Sequence, residues 1–200
     1  MIVTKIEPIT KTKFKIELDG EFAFVLYKGE LSHYSIKEGA QLSEELLGEI
    51  KTEALLKRAK LRALHLLNAS PRTESGLRRK LKENLYPDDI IGQAMDYVKS
   101  FGYVDDYQYA FHFIECRKET KSRREIFALL SGKGIHSETL DKAFEDAYSD
   151  GGDQAAIRKI LEKKKVQDVL DDQKELQKIY AYLVRKGFSY EDIRQVVRKL

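Results

Sequence analysis

Two hundred residues, 42% of them hydrophobic and 34% charged, describe a soluble chain able to build one large domain or a few small units. A net charge of +3 is too small to establish nucleic-acid binding and equally suits a protein partner. The single cysteine, Cys116, excludes an internal disulfide and points to a reducing compartment. No apolar run approaches the length needed to cross a bilayer. The N-terminus, Met1-Ile-Val-Thr-Lys5-Ile-Glu7, lacks the charged start and apolar core of a signal peptide, so a cytoplasmic monomer without membrane association is expected.

Residues 1–42 read as an N-terminal β-hairpin extension. Lys13-Phe-Lys-Ile-Glu-Leu18 alternates polar and apolar residues, Asp19-Gly20 supplies a hairpin turn, and Phe22–Tyr27 returns. Ile2–Ile6 can add a third strand stopped by Pro8, and such a small sheet needs helices for support. Gly39 and Ser43 mark the change to helix, with Ser43 an N-cap ahead of Glu44 and Glu45.

Residues 43–103 read as helical repeat 1. A long helix from Ser43 to about Asn68 is closed by Pro71, and a second runs from Thr73 to Asn84. Pro87, Asp88 and Asp89 open a third, which buries Ile91, Ala94, Met95 and Val98 and ends at Gly102. Residues 104–149 read as repeat 2, where Tyr107, Ala110, Phe111 and Ile114 share one helix face. Asp105 and Asp106 suit an N-cap and a first-turn acid better than a catalytic pair. Cys116, between Ile114 and Arg117, is expected to be a buried structural thiol. Ser122-Arg-Arg-Glu125 has the form of a capping box. Ser149-Asp-Gly-Gly-Asp153 reads as a linker whose Asp153 caps the next helix. Residues 150–200 read as repeat 3, with helices over 153–165, 168–186 and 189–200 and a second capping box at Ser189 and Asp192.

Internal similarity ties these pieces together. The stretch Ile126, Leu130, Gly134, Leu140 returns as Ile179, Leu183, Gly187, Ile193. A weaker copy runs Leu77, Leu81, Ile91, Ala94 and Met95, with Leu85 where the glycine should stand. Copies spaced by about fifty residues signal a helical repeat protein. Each copy buries little alone, and stacked neighbours supply the core. Gly102, Gly134 and Gly187 are expected to be C-caps, because glycine takes φ > 0 without a Cβ penalty. The expected fold is mainly α: three tandem three-helix repeats in an elongated curved array, with the small N-terminal sheet attached.

No catalytic constellation emerges. Gly132-Lys-Gly134 ends a helix and lacks the strand and upstream glycine of a phosphate-binding loop. His33, His65, His112 and His136 are scattered without metal-ligand spacing. A non-enzyme without metal or cofactor is therefore expected. Clustered bases remain as partner- or DNA-binding candidates: Arg78, Arg79 and Lys82; Arg117, Lys118, Lys121, Arg123 and Arg124; Lys163, Lys164 and Lys165; Arg185 and Lys186. Bases at helix C-termini are the default electrostatic choice. Arg123 and Arg124 instead start a helix, where the dipole disfavours them, so their cluster is the better candidate for an anionic partner.

Arg62-Ala-Leu64, Leu77-Arg-Arg-Lys-Leu81 and Gly102-Tyr-Val-Asp-Asp106 with Ala110 stand in a distinctive order and spacing. The series continues through Arg123, Ile126, Leu130, Lys133-Gly134, Ile135 and Leu140, and into Tyr182-Leu-Val-Arg-Lys-Gly-Phe188. In these residues the chain resembles the RecX family of recombinase regulators. Leu85-Tyr86 departs from the family's glycine and apolar residue, which puts the turn geometry of repeat 1 in question. The resemblance implies a modular three-helix protein that binds the groove of RecA filaments on single-stranded DNA. It would dampen strand exchange, ATP hydrolysis and co-protease activity, and so regulate DNA repair, recombination and the SOS response. The rival reading is a direct binder of single- or double-stranded DNA built from helix-turn-helix-like units. Against it, the candidate recognition helix 137–148 carries Glu138, Asp141, Glu145 and Asp146, which phosphates would repel.

Overall fold

A computed structural model describes residues 1–148, 152–166 and 172–199. The chain divides into two compact units, Met1–Val104 and Asp105–Leu200. It is mainly α-helical, with one three-stranded antiparallel sheet at the N-terminus.

In the first unit, β1 (Val3–Pro8), β2 (Lys13–Leu18) and β3 (Glu21–Tyr27) lie in the order β1-β2-β3. Asp19 and Gly20 both have positive φ, 50° and 89°, which gives the tight turn the twist that antiparallel strands need. Period-two alternation sends Ile16, Leu18, Phe24 and Leu26 into the core. Strand β1 continues through Pro8, paired with Phe14, instead of stopping before it. An edge strand tolerates proline, because its outward N–H needs no ladder partner. The outer edge of β1 is covered by the loop after residue 36: Val3 N donates to Ala40 O at 3.0 Å and Ile6 N to Glu38 Oε1 at 2.7 Å.

A short helix, α1 (Lys28–His33), follows the sheet and was not expected. Its signal was Glu30, which reaches back to accept from Tyr27 N at 2.6 Å. The expected long helix is present as α2 (Glu44–Glu49), a π-helical stretch (Ile50–Leu56) and α3 (Lys57–Ala69), with helical dihedrals at both joints. Ser43 Oγ caps it at Leu46 N. Helices α4 (Glu74–Glu83) and α5 (Asp88–Ser100) complete the unit. Leucines of α4, the α5 stripe and Ala59, Ala63 and Leu66 of α3 share one core with the sheet.

The departure at Leu85 leaves the turn unchanged. Leu85 holds φ at 62°, with Leu85 N donating to Lys82 O and Tyr86 N to Leu81 O. The same pair of bonds closes the turns at Gly102 and Gly187. A leucine therefore occupies the left-handed position that glycine fills elsewhere.

The second unit contains α6 (Asp106–Glu115), α7 (Arg123–Ser131), α8 (Ser137–Ala147), α9 (Gln154–Lys163), α10 (Gln173–Arg185) and α11 (Tyr190–Val197). Two cores form: Ala110, Ile126, Leu130 and Phe144 anchor α6–α8, and Ile157, Leu183, Phe188 and Ile193 anchor α9–α11. Leu130 and Leu183, and Leu140 and Ile193, are buried in matching places, whereas Ile126 is fully buried and its counterpart Ile179 only partly. Gly134 and Gly187 have φ of 81° and 90°. Asp105 is an N-cap accepting from Gln108 N, as its sequence context suggests.

Three local expectations are corrected. Cys116 is exposed, because it caps the C-terminus of α6 where the chain leaves the core. In the Ser122–Glu125 box only the serine half is made, since Lys121 engages the Glu125 carboxylate. Asp153 does not cap its own helix; its carboxylate instead accepts from Arg123 N of α7 at 2.8 Å. Residues 149–151 of the expected linker, residues 168–171 of the expected α10 start, and Leu200 lie outside the described residues. The described part of α10 is capped by Asp172, which accepts from Lys174 N and Glu175 N.

Candidate partner-binding surface

The start of α7 meets the end of α10 at one point. Ser122, fully buried, accepts from Glu125 N at 3.1 Å and donates to Lys186 O at 2.7 Å. A Cβ on Gly187 would fall 2.8 Å from Ser122 Oγ and 3.3 Å from Arg124 Cβ, so only glycine lets the two helix ends come this close. The partial positive end of α7 therefore faces the partial negative end of α10. That opposition offsets the dipole cost of Arg123 and Arg124 at an N-terminus. Asp153 adds a carboxylate to the same spot. Burial holds its carboxyl above the ordinary range, against the opposing pull of the Arg123 N–H.

The bases of 117–124 separate by role. Arg117 lies over the Phe113 ring at 3.8 Å. Lys118 bridges Glu115 and donates to Ala147 O at 3.0 Å. Lys121 pairs with Glu125. Arg123 lies 5.1 Å from the Phe144 ring and 5.8 Å from the Tyr148 ring, whose buried hydroxyl is pushed up to about 12 by desolvation. These four hold the α6–α8 module together. Arg123 and Arg124 are both exposed, but among the described residues only Arg124 has no ring or carboxylate partner, and it lines a cleft of about 590 Å³ between α7 and α10 with Tyr182, Arg185 and Lys186.

A second cleft of about 560 Å³ opens on the other side of Tyr182 and Lys186, lined by Glu119, Lys159, Lys163 and Lys164. Lys164 lies 4.3 Å from the Tyr182 ring. The two clefts share Tyr182 and Lys186 and together make up one basic groove. The groove gathers Arg124, Lys163, Lys164, Arg185 and Lys186 from three separate sequence clusters. Lys165, at φ 52°, turns the chain after α9 and lines neither cleft. Tyr182 and Lys159 were not anticipated. The available signal was spacing: Lys159 with Lys163 and Tyr182 with Lys186 stand four residues apart, on one helix face. Lys159 also pairs with Glu119 at 2.6 Å, the one acid in that cleft.

The basic run on α4 belongs to the other unit and is largely neutralised. Arg78 and Lys99 share Glu74, Lys80 pairs with Glu83, and Lys82 with Asp88 at 3.2 Å. Both bases hold the Glu74 carboxyl below its usual range, Lys99 most strongly. Among the described residues, Arg79 makes no ion pair and is exposed. Gly102 and Gly134 stand at turns with positive φ and line neither cleft. Among the described residues, no three His, Cys, Asp or Glu side chains gather as a metal would require. No helix there is long and apolar enough to cross a membrane.

Two family profiles match the chain: the first three-helix domain of RecX over residues 59–97 and the third over residues 152–197. The regulatory protein RecX of Caldanaerobacter subterraneus subsp. tengcongensis is 32% identical over 199 residues, 98% of each chain. The chain belongs to the RecX family of regulatory proteins. RecX of Leuconostoc citreum is 30% identical over 189 residues, 92% of this chain and 70% of its relative. A crystal structure of regulatory protein RecX superposes with a TM-score of 0.62 at 25% identity, covering 98% of both chains. The groove between α7, α9 and α10 therefore sits partly within the third RecX three-helix domain, on its side nearest α7.

Proposed function

We propose that this RecX-family chain binds the RecA filament on single-stranded DNA and dampens its recombinase, ATPase and co-protease activities. The observation that carries the reading is the groove around Tyr182, which six cations of α7, α9 and α10 line, one of them, Lys159, paired with Glu119. A filament presents phosphates and acidic side chains in a periodic groove. Distributed positive charge on a helical surface suits that groove through steering and register. The protein acts by occupying space, so it has no turnover of its own and needs no cofactor. We parse it as an N-terminal extension over 1–42 and three helical repeats over 43–103, 104–149 and 150–200, acting as a monomer in the cytoplasm.

The test compares RecA ATPase on single-stranded DNA with the parent and with the triple variant Arg124→Glu, Arg185→Gln, Lys186→Gln. None of these three side chains is in an ion pair among the described residues, so the variant should stay folded. Inhibition should weaken about tenfold or more at low salt, with a smaller gap at moderate salt as screening shortens the charges' reach. Equal potency of the two proteins at both salt levels would remove the groove from the contact surface. A parallel titration of naked DNA separates filament binding from direct DNA binding. Affinity for DNA alone that matches the inhibitory range would favour the latter.

A further inference from the structure

A cleft of about 530 Å³ lies in the other unit, between the edge of β3, helix α3 and the α4–α5 turn. Its chemistry is unlike the basic groove, and the proposed function makes no use of it. Arg58 forms the back wall. Its guanidinium donates to both Glu30 oxygens at 2.8 and 2.7 Å and to Val25 O at 2.6 Å, beneath the Tyr27 ring. Arg58 and Glu30 thus satisfy each other. Two further cations stay uncompensated. Lys13 rests 5.5 Å from the Tyr27 ring and, among the described residues, makes no ion pair. Arg62, one turn beyond Arg58, buries its Nε with no acceptor among the described residues. A buried N–H without an acceptor is costly unless something supplies one.

The rim of the same cleft is apolar and exposed. Leu61 is 68% exposed on α3, and Leu85 is 40% exposed on the α4–α5 turn. Leu85 is held at φ 62°, where the equivalent turns carry glycine. A leucine placed there is strained and still leaves 40% of itself exposed, so its burial recovers only part of the cost and leaves an apolar surface free for contact.

We propose that this cleft docks an acidic peptide segment of a protein partner, a carboxylate on Arg62 and Lys13 and a bulky apolar side chain between Leu61 and Leu85. Charge complementarity selects an acidic occupant, and the leucine rim selects one with an apolar anchor. Single-stranded nucleic acid fits less well. It needs open aromatic faces for base stacking, and the guanidinium of Arg58 and the ammonium of Lys13 already lie over Tyr27.

The full chain would be titrated against a fluorescein-labelled peptide, Asp-Glu-Leu-Phe-Glu-Asp, and followed by anisotropy. Saturable binding is expected, weakened about tenfold by Arg62→Gln through loss of a charge-assisted bond. Leu85→Gly should weaken it about fivefold with little change in melting temperature, since relieved strain offsets the partial burial lost, whereas a purely structural role for Leu85 would lower the melting temperature and leave binding unchanged. Replacing the peptide's Leu and Phe by Ser should remove binding. The triple groove variant should bind the parent peptide normally, because its changes lie in the other unit. No binding by the parent, or unchanged affinity in both cleft variants, would overturn the proposal. So would loss of the peptide in the groove variant, or an oligothymidylate that binds more tightly than the peptide and is weakened by Arg62→Gln.

Discussion

Gly187→Ala tests whether the junction of α7 and α10 is as close as its geometry implies. Two costs combine. At φ 90° an alanine is strained, by about 1–2 kcal/mol for a left-handed L-residue. The added Cβ would also lie 2.8 Å from Ser122 Oγ, inside any normal contact. Ser122 is fully buried and cannot swing into water, so relief breaks its bond to Lys186 O and leaves a polar group unpaired, about 1–3 kcal/mol more. The sum is roughly 2–5 kcal/mol. Gly102→Ala is the control: its φ is 68° and a Cβ there meets nothing within 4 Å, so only the strain of about 1 kcal/mol applies. In thermal unfolding by circular dichroism, Gly187→Ala should lower the midpoint of its unit by roughly 10 °C or more, and Gly102→Ala by about 5 °C. Amide exchange at Arg123 and Glu125 should quicken only in the first. Ser122→Ala combined with Gly187→Ala should cost less than the two singly, because the clashing oxygen is gone. Equal midpoints for Gly187→Ala and Gly102→Ala, or strict additivity with Ser122→Ala, would show that the helix ends do not touch in this way.

Three further outcomes are expected. Arg58→Met strips Glu30 and Val25 O of their donor in a half-buried setting and should destabilise Met1–Val104 by about 2–3 kcal/mol, read as an earlier urea midpoint for the sheet signal. Leu85→Gly should leave the stability of the same unit within about 1 kcal/mol of the parent, because relief of the left-handed strain offsets the partial burial lost, and a larger loss of stability would mean that packing of Leu85 outweighs its strain. Asp153 titrates above its ordinary value of 3.8 in the folded chain, so the folded state holds more protons than the unfolded one just above that pH. Its contribution to stability is therefore present at low pH and falls as pH rises through the folded value. Asp153→Asn keeps the acceptor for Arg123 N, so it should be more stable than the parent at neutral pH and lose that advantage below about pH 4. An advantage that grows on acidification would reverse this assignment.

Much of the fold is legible in the chain because local rules carry it. Asp19-Gly20 has the left-handed tolerance that its turn uses, and Ser43, Thr73 and Asp105 each cap the helix that follows. What escaped notice depends on contacts distant in sequence. Asp153 precedes α9, and every local signal assigns it there. It serves α7 because the second unit brings the two helix starts together, and a bond spanning thirty residues outweighs the local cap. Short α1 has too few residues for an apolar period, and only the Glu30 side chain announces it. The π stretch at Ile50–Leu56 is likewise invisible to a helical period, since one wide turn within a long helix leaves the apolar face nearly in register.

Charge was the least legible feature, and the reason is general to repeat proteins. A run of bases in sequence says how many cations a segment carries, but not which of them the fold consumes. In Arg117–Arg124, Phe113, Glu115, Glu125, Phe144 and the Ala147 carbonyl engage four of the five. Arg124 stays outward because it sits where the α10 carbonyl end approaches and Gly187 leaves no room for a side chain between them. A single three-helix module would still have Arg124, exposed at an unfavourable helix start. Only the next module supplies the opposing dipole end that makes the position tolerable, and the same module brings Lys163, Lys164, Arg185 and Lys186 alongside. The concentrated positive surface is thus a property of the junction between modules. Its strength should depend on how closely α7 and α10 are held, which is the quantity that Gly187 and Ser122 control.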